Sequence, residues 1–138
     1  MDKEGLYKEI DLIQGCINRM SQNSFMLKGW ALTVFAGVTA FTKGENLGSL
    51  LTIIFTMIVP YTCFWLLDSF FLQTEKKYRR LYNMVITKRK ADDLEGQFDL
   101  NPNQVKNECY LKSMFSWTLL VFYGIPLLSC IILMIIRI

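Results

Sequence analysis

With 138 residues, of which 52% are hydrophobic and 20% charged, and a mean hydropathy of +0.28, the chain has length for one domain and more apolar residues than the roughly 45 to 50% that a single core of that size takes up. Fifteen bases against twelve acids are too small a surplus to imply a nucleic-acid partner. The absence of histidine removes the commonest general base and the usual nitrogen ligand of catalytic metals, so neither an enzyme nor a cofactor is expected.

Taken in chain order, residues 1–23 read as a cytoplasmic amphipathic helix. Leu6, Ile10, Ile13, Ile17 and Met20 recur at steps of four, three, four and three and draw one apolar seam down it. Residues 24–42 read as a first membrane span, with Lys28 snorkelling to the headgroups. The segment Lys43-Gly-Glu-Asn-Leu-Gly-Ser49 then reads as a tight turn. A second span over 47–67 is free of charge up to Asp68. Residues 68–113 read as a cytoplasmic helical hairpin: Leu72, Tyr78, Leu81, Tyr82 and Val85 keep helical spacing, Gly96 is the expected stop, and Asn101-Pro102-Asn103-Gln104 has the cap and N1 proline of a new helix. A third span follows over 114–136, without a charged residue.

The expected fold class is therefore an all-α integral membrane protein of three transmembrane helices with a short cytoplasmic helical stalk. Nine bases, from Lys76 to Lys112, lie in the long connection, and the positive-inside rule puts it and the N-terminus in the cytoplasm, with the C-terminus outside.

Six groups of residues stand out. Gly29, Thr33 and Gly37, with Ala36 and Ala40, form small-residue rows suited to helix packing in an oligomer. Arg19, Asn23, Lys28, Asp68, Glu75 and Arg79 fall at one level of a returning hairpin, where Asp68 and Glu75 are able to meet Lys28 and Arg19 and fix register or act as a latch. Lys76, Lys77, Arg79 and Arg80 suit anionic lipid headgroups. Pro60 and Pro126 are candidate helix kinks. The hydroxyls of Thr33, Thr39, Thr52, Thr56, Ser116, Thr118 and Ser129 either line a pore or bond their own backbones. Cys16, Cys63, Cys109 and Cys130 lack the spacing of a zinc or redox motif and are expected as buried thiols.

The runs Asn23-Ser24-Phe25, Lys28-Gly29-Trp30, Phe64-Trp65-Leu66-Leu67-Asp68 and Tyr78-Arg79-Arg80-Leu81-Tyr82 resemble those of small uncharacterised bacterial multispanning membrane proteins. Their organisation is similar to the SLATT-like membrane effectors of antiphage defence. The resemblance covers most of residues 15 to 85 and implies an oligomeric bacterial inner-membrane effector that forms a pore or disrupts the membrane. The other reading of the sequence is a non-pore membrane adaptor or regulatory subunit. Such a subunit recruits a soluble cytoplasmic partner through its helices and the loop from Asp92 to Leu100. Expected partners are membrane lipid, further copies of the chain and that soluble protein.

Overall fold

The computed structural model describes residues 3–42, 50–105 and 109–137, without the side chains at 41, 42, 50–55, 130, 133, 134, 136 and 137. Two long helices dominate, α1 (Lys3–Thr42) and α2 (Leu50–Lys90). At 1.5 Å per residue each is about 60 Å long. They pack side by side along most of that length, and α2 carries the short α3 (Tyr110–Met114) and the C-terminal α4 (Trp117–Arg137). The Lys43–Ser49 turn expected between α1 and α2 lies outside the described residues.

Two apolar clusters lie along the helix pair. One joins Ile13 of α1 to Leu81 and Val85 of α2 and to Val105, with Ile17, Tyr78 and Leu100 packed around them. The N-terminal seam therefore does face a partner helix, because steps of three and four keep Ile13 and Ile17 on one side. The second cluster joins Ala31, Tyr61, Leu119 and Tyr123 and is where α4 is held. Tyr123 is its hub, in edge-on contact with Tyr61 and stacked on Trp65. Burying side chains such as Leu81 contributes about 1.5 to 3 kcal/mol each.

Proline chemistry strengthens the α4 attachment. Pro126 lies inside α4 and has no N–H for the carbonyl four residues back, that of Phe122. Tyr61 of α2 donates its phenol to that same Phe122 carbonyl at 3.1 Å. Trp65 serves α3 in the same way, its indole N–H meeting the Met114 carbonyl at 3.1 Å. Pro60 likewise sits within α2, without ending it.

Several expectations are corrected. Among the described residues no helix is long and apolar enough to cross a membrane. That overturns the three-span membrane architecture and the inner-membrane location with its inside–outside assignment. A span takes roughly 20 apolar residues in one helix, and within α4 the side chains at 130, 133, 134, 136 and 137 lie outside the described ones. Residues 24–42 belong to a longer helix in which Lys28 and Ser24 serve a buried polar centre. Of residues 47–67, 47–49 lie outside the described residues and the side chains of 50–55 are not described. Residues 114–136 are split at Phe115 and Ser116, so that α4 starts only at Trp117.

The connection after α2 also differs. The helix stops at Lys90, earlier than Gly96, in a Schellman arrangement: Asp93 N–H reaches the Lys88 carbonyl at 3.1 Å and Asp92 N–H reaches that of Arg89 at 3.2 Å. Asp92 takes the left-handed position, φ 54°, usually given to glycine. The helix expected from Asn101 is a single 3-10 turn, Pro102–Gln104, because Val105 returns to extended backbone. Cys63 and Cys109 are exposed and not buried; Cys16 is buried, and the side chain of Cys130 is not described.

Candidate functional site

Two ion pairs, each with a buried carboxylate, cross between α1 and α2. At the middle of the hairpin Asp68 is fully buried and receives three donors: Lys28 Nζ at 2.6 Å, Ser24 Oγ, and Tyr123 OH at 3.2 Å. Lys28 also donates to Ser24 Oγ at 2.7 Å. One carboxylate thus ties α1, α2 and α4 together, and complete hydrogen bonding is what makes a buried charge tolerable. Burial, and then the charge and hydrogen bond of Asp68, push the Tyr123 phenol well above its ordinary range, so it remains a donor.

The second pair lies at the free end of the hairpin. Glu9 and Arg89 are both buried and meet in a two-pronged arrangement, Nε to Oε2 at 3.0 Å and Nη2 to Oε1 at 2.9 Å. Glu9 Oε1 also accepts the Phe98 backbone N–H at 2.9 Å, and Arg89 Nη1 donates to the Asp93 carbonyl. The pair therefore clamps the loop that follows α2 at two points. Burial works to raise the Glu9 pKa, but the hydrogen bonds of Arg89 and the Phe98 amide, with the Arg89 charge, outweigh it and hold the carboxyl below its ordinary value of 4.5.

Because Glu9 binds protons less readily folded than unfolded, its stabilisation is complete above about pH 4.5 and is lost as pH falls through the lowered folded value. We expect acid unfolding monitored by circular dichroism to show that fall in the wild type. Its contribution is expected to be absent from Glu9→Gln, whose side chain does not titrate.

The clamped loop, Ala91 to Leu100, carries Asp92, Asp93, Glu95 and Asp99 and no base. Asp93 and Asp99 cap local turns, accepting from the Glu95 and Asn101 amides at 2.8 and 3.1 Å. Its apolar members Leu94 and Phe98 point outward, Phe98 with 45% of its surface open. Phe98 adopts φ 62°, a conformation that costs a residue with a side chain about 1 to 3 kcal/mol. Beside it Glu4, Gly5, Lys8 and Gln97 complete an open groove of about 340 Å³. Among the described residues no three His, Cys, Asp or Glu side chains converge as a metal site.

The residues singled out in the sequence are dispersed. Lys28 and Asp68 meet, whereas Glu75 pairs on its own helix with Arg79 at 2.7 Å. Arg19 turns back to the Cys16 thiol at 3.5 Å, and Asn23 is half-buried, next to Ser24 in the chain. Lys76, Lys77 and Arg80 lie on α2 next to Arg79. Thr33, Thr39 and Ser129 bond their own helix backbones at 2.9, 2.7 and 2.7 Å. Ala36 and Ala40 are exposed, and added Cβ atoms on Gly29 and Gly37 would meet open space. Glu9 and Phe98 were not singled out in the sequence; pairs 80 and 89 residues apart leave no local signal. No family model, curated protein or solved structure matches this chain.

Proposed function

We propose that the chain is a non-catalytic helical adaptor, a docking or regulatory subunit that recruits a protein partner through the clamped loop from Ala91 to Leu100. The observation that carries this reading is Phe98. A large apolar residue is held in a costly backbone conformation by a buried carboxylate, and its ring is left open to solvent. Strain of this kind persists only when surrounding structure over-determines it, and it concentrates at sites that present a side chain to something else. The acids around Phe98 and Leu94 make a positively charged segment with an apolar anchor the complementary partner.

Phe98→Gly tests this. Glycine adopts φ 62° without strain, so we expect thermal stability to hold or to rise by up to about 1 kcal/mol. A photoreactive residue replacing Gln97 is expected to crosslink, in the cells that make the protein, to a Lys- or Arg-rich segment. Phe98→Gly should lower that yield about tenfold, as loss of a central anchor does. Crosslinks unaffected by Phe98→Gly and Leu94→Ser, or the absence of any, would overturn the proposal.

A further inference from the structure

The chain exposes 9407 Å², whereas a compact monomer of 16.1 kDa exposes about 7,400 Å² by surface scaling. Large apolar side chains turn outward on α1, Phe25, Trp30 and Leu32 among them, as well as on α2 and α4. A standard dimer takes only about 800 Å² from each partner, less than this excess over a compact monomer. We propose that a second copy of this chain docks on this one, α1 against α1 in antiparallel two-fold fashion.

The register follows from the residues. Along one flank of α1 the exposed Gln22, Phe25, Gly29, Leu32 and Ala36, followed by the half-buried Thr39, succeed one another at steps of three and four, the seam of a helix pair. Phe25 and Leu32 stand out, with 77% and 47% of their surface open. Gly29 and Ala36 are exposed gaps between them, and a Cβ on Gly29 would touch nothing within this chain. A glycine inside a helix costs about 1 kcal/mol relative to alanine, and the fold of one copy makes no use of it.

With the two-fold axis at the level of Trp30 and Ala31, Phe25 faces Ala36 of the other copy, Gly29 faces Leu32, and Gln22 faces Thr39. Every large side chain then meets a small one. A parallel pair would instead set Phe25 on Phe25 and Gly29 on Gly29, a collision beside a void. On α4 the comparable row, Trp117, Val121, Gly124, Leu128, Ile131 and Ile135, has one small member, the half-buried Gly124, among large side chains, and lacks the alternation. Self-complementarity of this kind is what an isologous interface requires.

Sedimentation equilibrium on the full chain tests the proposal, with wild type expected at twice the monomer mass. Phe25→Ala removes a knob and Ala36→Phe fills its hole, and each should weaken the dimer at least about tenfold. The double variant exchanges knob and hole and should return to within about threefold of wild type. Gly29→Ala should weaken the dimer while leaving the melting temperature of the dilute monomer unchanged or higher, which separates interface from fold. A monomer at all concentrations, a dimer indifferent to Ala36→Phe and Gly29→Ala, or a double variant as weak as its two losses combined would each overturn it. The loop is remote from this face, so Phe98→Gly should leave the dimer intact, and either proposal is able to fail alone.

Discussion

Asp68→Ala is expected to destabilise the fold by about 3 to 5 kcal/mol, the cost of leaving one member of a buried ion pair without its partner. Three donors lose their acceptor together: Lys28 Nζ, Ser24 Oγ and Tyr123 OH. Lys28 keeps some contact with solvent, its side chain 23% exposed, and so recovers part of its hydration. Tyr123 is fully buried and does not. Chemical denaturation followed by circular dichroism should show the loss, with a fall in Tm of at least about 10 °C. Tyr123→Phe removes only one neutral donor and should cost about 1 kcal/mol. Joint replacement, Lys28→Met with Asp68→Leu, removes both charges and should restore most of the stability. An Asp68→Ala cost below about 1 kcal/mol would mean that the centre does not hold the three helices together.

Arg89→Met carries the second large effect, again about 3 to 5 kcal/mol, because Glu9 is then buried with only the Phe98 amide on its carboxylate. It differs from Asp68→Ala in where the damage is felt. Arg89 also donates to the Asp93 carbonyl, so its loss releases the loop from both sides. Hydrogen exchange at the Phe98 amide is expected to accelerate well beyond what the fall in global stability explains, with limited proteolysis cutting between Ala91 and Leu100. Acceleration no greater than the global change would show that the loop is held by its own turns, the Gln97-to-Leu94 and Asp99-to-Gly96 hydrogen bonds.

Helical periodicity carried a good part of the fold. The seam through Ile13 and Ile17, and the spacing of Leu81 and Val85, are local patterns, and they define the faces that pack. Asp68 near Lys28 follows from a hairpin returning to its own level, which residue types and helix geometry make legible. Apolar runs were less informative: they do not reveal where a helix is interrupted, as at Phe115 and Ser116, nor that Lys28 faces a carboxylate across the hairpin. Arg89 stood among Lys88 and Lys90 as one more base; only the pairing of α1 with α2 sets it apart from its neighbours. The left-handed backbone at Asp92 and Phe98 is likewise decided by what receives their amides, Arg89 and Glu9.

The two ion pairs that cross the hairpin have opposite polarity. Near the free end the acid is on α1 and the base on α2, Glu9 with Arg89; roughly 30 Å along the base is on α1 and the acid on α2, Lys28 with Asp68. Laid side by side in the opposite direction, the same helices would bring Glu9 to Asp68 and Lys28 to Arg89, two repulsions in place of two attractions. A slide by one helical turn would separate both pairs at once. The four charges therefore work as a key that admits one direction and one register, a selection that the apolar seam, with its repeating steps, is too forgiving to make.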